Sequence, residues 1–114
     1  MRTVSDHVQV QTAIESASAA DAMAEALVER GLVACAQVLG PVRSTYRWRG
    51  AVEHAAEHLL LCKTTAPMAD AVVAAIRELH AYEVPEIIVV PIAGGLAEYL
   101  GWIDESVREP PGAS

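Results

Sequence analysis

Two long extended segments, LVACAQVLGPVRSTYRWRG and AVEHAAEHLLLCKT, meet at Arg49-Gly50 with nothing else between them. An Arg-Gly pair between two extended runs predicts a hairpin turn, with Gly50 taking the positive φ. Gly40-Pro41 interrupts the first arm. Proline has no N–H to give to a ladder, so that arm must bend or bulge there and is not a uniform central strand. A hairpin this long limits the folds open to a chain of 114 residues, because both arms need partners along their whole length.

The flanking segments supply some of those partners. HVQVQT alternates apolar and polar residues and predicts a first strand. Ser16 or Ser18 then caps a helix with Ala20, Met23, Ala24, Leu27 and Val28 on its apolar face, and Gly31 ends it. After the hairpin, Thr64 or Thr65 caps a second helix with Pro67 in its first turn. Its apolar positions are Met68, Val72, Val73, Ile76 and Leu79. Pro85 biases Val84 to an extended backbone, which stops the helix and starts EIIVVPI. That run is almost wholly apolar and predicts a strand buried on both faces. Gly94-Gly95 opens a last helix with Leu96, Tyr99, Leu100, Ile103 and Val107 inward.

The order strand, helix, strand, strand, helix, strand, helix predicts an α+β, ferredoxin-like split βαβ sandwich with a long central hairpin and a C-terminal helix. Residues 1–108 read as a single domain and 109–114 as a flexible tail. The hairpin overhangs a four-stranded sheet and leaves edges carrying Leu and Val. Pairing with neighbouring subunits removes such edges, so an oligomer is expected.

A net charge of −7 opposes binding to a phosphate backbone, so no nucleic-acid partner is expected. No segment approaches the roughly 20 apolar residues of a membrane span, and the N-terminus has no apolar signal core. Cys35 and Cys62 form no CxxC pair and read as reduced thiols. These features together predict a cytoplasmic protein with no membrane partner. GxSxG, HExxH, P-loop and GxGxxG motifs are absent, and nothing nominates a nucleophile, so the chain is not expected to be an enzyme.

The stretches GLVACAQVL, STYRWRGAVE, LLLCKTT, LHAYEVPEIIVVPI and YLGWI, in that order, resemble the CutA family of divalent-cation tolerance proteins from about Val8 to Val107. The resemblance implies a ferredoxin-like homotrimer whose long hairpins pair across subunits. It also implies a role in copper tolerance or metal response, with weak binding of divalent cations. Some relatives carry a cysteine in the first strand and two adjacent histidines before the Pro-Glu element. The corresponding residues here are Gln11 and Leu79-His80.

Several residues have a structural reading and a functional one. His80 suits a helix C-terminus, where the dipole favours it, and is also the first candidate metal ligand, for Cu(II) or another divalent cation. Cys35 is the second, since thiolates suit Cu(I); as an apolar strand residue it is equally a structural thiol, as is Cys62. Trp48, Lys63, Tyr82 and Glu86 are the candidate ligand cleft. Trp48 caps the hairpin or walls a pocket, and Lys63 is solvated or binds an anion beside a helix N-terminus. Tyr82 shapes the loop, Glu83 faces solvent, and Glu86 points out or into the cleft. Trp102 packs. His54 and His58 lie four residues apart on a strand, about 13 Å, too far to share one ion. Arg43, Arg47 and Arg49 form a solvated face or pair with Glu53 and Glu57.

The leading function is a CutA-like trimeric metal-response protein. A PII-like regulatory module holding a small anionic metabolite in clefts between subunits is the first alternative. A trimeric scaffold for a partner protein is the second.

Overall fold

His7–Ile14 forms β1, the strand around which the sheet is organised. The computed structural model describes residues 6–109, so the 109–114 tail falls outside it except for Glu109. The elements that follow are α1 (Ala17–Glu29), β2 (Cys35–Trp48), β3 (Ala51–Thr65), a 3₁₀ turn (Ala66–Met68), α2 (Ala69–Leu79), β4 (Ile87–Ile92) and α3 (Ala97–Ser106). The strand order is β2-β3-β1-β4, and all three pairings are antiparallel. This is the split βαβ arrangement predicted from the element order.

Local chemistry sets the helix ends. The Ser16 hydroxyl accepts the Ala19 N–H at 3.1 Å, satisfying one of the orphan donors of α1. Gly31 turns the chain out with φ +70°. The expected threonine cap before α2 is not formed: Thr65 makes no cap hydrogen bond, and the buried Thr64 hydroxyl donates instead to the Leu32 carbonyl at 2.8 Å. Thr64 therefore ties β3 to the loop after α1.

Val8, Val10 and Ile14 from β1, with Leu60 and Cys62 from β3, point to one face of the sheet. Met23 and Leu27 of α1 and Val72 and Ile76 of α2 cover that face, with Met68 between. The alternate residues of the sheet face the other way, and α3 lies over one end of that second face. Cys35 Sγ is 3.5 Å from the Tyr99 hydroxyl, and the His7 ring N–H donates to Asp104 at 2.8 Å. Ile103 is fully buried there.

Several burial expectations fail, including those for Val28 of α1 and Leu79 of α2, which are 43% and 40% exposed. β4 is not buried on both faces: it is an edge strand, and Ile88, Val89 and Val90 are about 40% exposed (45, 42 and 39%). Leu96 and Tyr99 are exposed rather than inward, leaving Ile103 as the buried anchor of α3. Hydropathy identified residues that avoid water, but one chain supplies no cover for them.

The hairpin turn has positive φ at both Arg49 (+49°) and Gly50 (+84°), as a I′ turn requires. The predicted irregularity at Gly40-Pro41 is a bulge: Leu39 pairs with Leu59, and the next pair is Val42 with Glu57. One extra residue on β2 reverses which of its side chains share a face with a given set on β3. Before the bulge Cys35, Gln37 and Leu39 stand beside Lys63, Leu61 and Leu59. After it Ser44, Tyr46 and Trp48 stand beside Ala55, Glu53 and Ala51.

The bulge is packed too closely for a side chain. A Cβ on Gly40 would lie 2.8 Å from the His58 ring and 3.0 Å from the Glu57 carbonyl oxygen. Gly40→Ala should therefore cost about 1–3 kcal/mol, as overpacking does. Denaturant unfolding would measure it, and an unchanged midpoint would show that the bulge has room to relax.

Candidate functional site

α2 stops at Leu79, and His80 turns extended at φ −84°, ψ 141°. Its ring is held from both sides. Nε2 lies 2.7 Å from the Ala13 carbonyl oxygen, and the Tyr82 N–H donates to Nδ1 at 3.2 Å. A carbonyl can only accept and an amide N–H can only donate, so this network assigns a neutral imidazole with its proton on Nε2. Both ring nitrogens are engaged, and His80 pins the junction to β1. The Tyr82 ring packs against it at 4.8 Å between centroids.

Tyr82 reaches across to the hairpin, where its hydroxyl donates to Glu57 at 2.8 Å. Burial, and then the Glu57 carboxylate that accepts this bond, push the Tyr82 hydroxyl well above its ordinary range. Glu57 is only 7% exposed. Glu86, just before β4, accepts from the Gln11 amide at 3.1 Å. The four candidate contacts of the junction thus have distinct tasks: His80 and Tyr82 fix the backbone, while Glu57 and Glu86 present carboxylates.

Tyr82, Glu57 and Glu86, but not His80, line a cleft of about 510 Å³ between the hairpin and the junction. Tyr46, Trp48 and Tyr82 give it aromatic surface, and Glu57, Glu83 and Glu86 give it carboxylates. The bulge is what turns Tyr46 and Trp48 to this side. At the mouth, the Arg49 guanidinium lies 5.2 Å above the Trp48 ring and donates to Glu83 at 2.9 Å. Arg49 therefore pairs with Glu83, not with Glu53 or Glu57 of the opposite arm.

Three of the four expected cleft residues, Trp48, Tyr82 and Glu86, come together here. Lys63 does not. It pairs with Cys35 on one side and Gln9 on the other, and its ammonium donates to Gln37. Gln9 and Ala13 are four residues apart on β1, about 13 Å along a strand. Cys35 belongs to the Gln9 row and His80 to Ala13, so the two candidate metal ligands stand apart within one chain. His54 and His58 both lie on β3, as expected. Among the described residues, no group of three or more His, Cys, Asp or Glu side chains is placed to hold an ion. Cys62 is fully buried, and that burial pushes its thiol up to about 12, which makes it an inert core residue.

Sequence reasoning missed Tyr46, and it placed Glu57 in an ion pair with arginine. The signal that locates both is Gly40-Pro41. Counting one extra residue there moves Tyr46 to the cleft side and sets Glu57 opposite Val42.

Residues 8–106 match the family described as CutA1 divalent ion tolerance protein. A divalent-cation tolerance protein CutA of Thermus thermophilus is 42% identical over 93 residues, covering 82% of this chain and 90% of that protein. The chloroplastic protein CutA 1 of rice, Oryza sativa, is 34% identical over 102 residues, covering 90% of this chain but 58% of that protein. Among solved structures, CutA from Xylella fastidiosa superposes with a TM-score of 0.88 at 36% identity, covering 91% of this chain and all of that one. CutA1 from Shewanella sp. SIB1 gives 0.90 at 32% identity over 94% of this chain and 100% of that one. The Thermus thermophilus relative is named as a divalent-cation tolerance protein, and none of these names describes a reaction.

Proposed function

The chain belongs to the CutA1 divalent ion tolerance protein family, and from that premise we propose that it serves copper and divalent-cation tolerance as a homotrimer that binds the ion weakly at the cleft. The observation that carries this reading is the pair of carboxylates, Glu57 and Glu86, directed at one cleft in a chain of net charge −7. Carboxylates and water suit divalent cations, and a site with so few protein donors holds them loosely. Among such ions Cu(II) is expected to bind most tightly. The exposed apolar residues of β4 and the hairpin support the trimer, since such edges call for a partner strand. Cys35 and Cys62, both free thiols, support a reducing location such as the cytoplasm.

The anionic-metabolite alternative loses its main support. Lys63 stands away from the cleft, and the carboxylates that line it repel an anion.

Titration calorimetry with Cu(II) and Mg(II) tests the proposal. The Glu57→Gln/Glu86→Gln chain should bind Cu(II) at least about ten-fold more weakly than the unsubstituted chain, because it loses two charged donors. Equal affinity in two trimers of the same mass would remove the cleft from metal binding.

A further inference from the structure

The cleft is larger and more aromatic than a bare ion needs. Its 510 Å³ falls in the range of pockets that enclose small molecules. Aromatic rings do not ligate hard metal ions, yet Tyr46, Trp48 and Tyr82 all line it. Their faces carry negative quadrupole charge, which attracts cations.

Glu57 adds a separate demand. It is nine-tenths buried, and one of its oxygens accepts from Tyr82. Among the described residues no donor reaches the other oxygen, and neither ion pair involves Glu57. That second oxygen is not among the enclosed polar atoms left without a partner, so it opens to the cleft, the side from which a cation can arrive.

The chain also displays the recognition chemistry on itself. Arg49 places a guanidinium over the Trp48 face and on the Glu83 carboxylate, two groups that line the cleft. Arg49 and Glu83 side chains are 70% and 69% exposed, so this pair is weak and yields readily.

We propose that the cleft binds a small organic cation, an alkylguanidinium or alkylammonium, with its charged head at Glu57 and Glu86 and its flank against Trp48. This rests on the cleft being the ligand site, as above, and it assigns the class of ligand. Arg49 is then an internal competitor at the mouth, which the ligand displaces from Trp48 and Glu83.

The test is titration of the intact protein with butylguanidinium and with butylurea, its neutral counterpart of the same shape, followed by calorimetry and tryptophan fluorescence. Butylguanidinium should bind at least about ten-fold more tightly than butylurea, because only it forms charge-assisted bonds. Glu57→Gln keeps an acceptor for Tyr82 and should lower guanidinium affinity about ten-fold or more. Trp48→Leu should lower it about two- to thirty-fold, and Arg49→Gln should raise it a few-fold. If Glu57→Gln alters the oligomer mass, exposed Glu86→Gln takes its place. Equal binding of the two probes, or no effect of Trp48→Leu and the glutamate variants, overturns the proposal. Binding of Cu(II) but not butylguanidinium overturns it while leaving the metal reading standing. Binding of neither Cu(II) nor butylguanidinium overturns both.

Discussion

A chain carrying Ile88→Asp and Val90→Asp should run as a 12.1 kDa monomer, while the unsubstituted chain should run at three times that mass. The register places Ile88 opposite Gln11 and Val90 opposite Gln9, on the face of the sheet away from α1 and α2. Both belong to an edge strand and are substantially exposed in the single chain. Leu39 and Val52 on the hairpin are more exposed still, at 55% and 56%. Apolar surface of this kind on β-strands marks an interface, and obligate interfaces bury more than about 2,000 Å². Two carboxylates there would have to be desolvated without partners, at several kcal/mol each. The protomer's own core lies on the opposite side of the sheet, so the circular dichroism of the variant should keep its helix and strand signal. Light scattering at micromolar concentration decides it. A monomeric unsubstituted chain would sink the trimer, and an unchanged mass for the double variant would move the interface off β4. Because assembly favours the folded state, the unsubstituted chain should also melt at a temperature that rises with concentration, and the double variant should not.

The outcome for β4 shows where reading the sequence stops. Ile87 to Ile92 are apolar, and their short β-branched run after Pro85 correctly marked a strand. Apolarity says that a residue avoids water; it does not say whether a helix of the same chain or another subunit provides the cover. The boundaries of α1 were legible for a different reason. The Ser16 cap and the Gly31 stop depend on local backbone chemistry that a few residues carry among themselves. The cleft was half legible. Trp48, Tyr82 and Glu86 sit next to a turn or a proline, where side chains are displayed rather than packed. Glu57 and Tyr46 sit inside a hairpin whose register depends on one bulge, and a slip of one residue reverses every side chain beyond it. Lys63 stands on the same face of β3 as Glu57 but six residues along, roughly 20 Å, in the Cys35 and Gln9 row at the other end of the sheet, a distance that pattern alone does not convey.

Cys62 supplies the second large effect, in alkaline solution. Its side chain is fully buried on the helix-covered face of β3, in the core that also holds Leu60 and Val10. Burial, with a smaller contribution from Cys35, raises its thiol from 9.0 to about 12. The thiolate is the form the core rejects, so the folded chain keeps its proton where the unfolded chain releases it. Below pH 9 both states are protonated and the thiol's contribution to stability is complete. Between pH 9 and about 12 only the unfolded state ionises, and folding stability falls by as much as about 1.4 kcal/mol per pH unit. The full loss is on the order of 4 kcal/mol, a large share of a small domain's 5–15. Tyr82 acts in the same direction above pH 10, because burial and its bond to Glu57 also hold its hydroxyl protonated in the folded chain. Cys62→Val fills a similar volume without an ionisable group. Its denaturant midpoint should therefore decline far less than that of the unsubstituted chain from pH 9 to 10, before Tyr82 begins to contribute, and the two curves should continue to diverge toward pH 12. Parallel curves over that range would mean that the Cys62 thiol does not resist ionisation in the folded core.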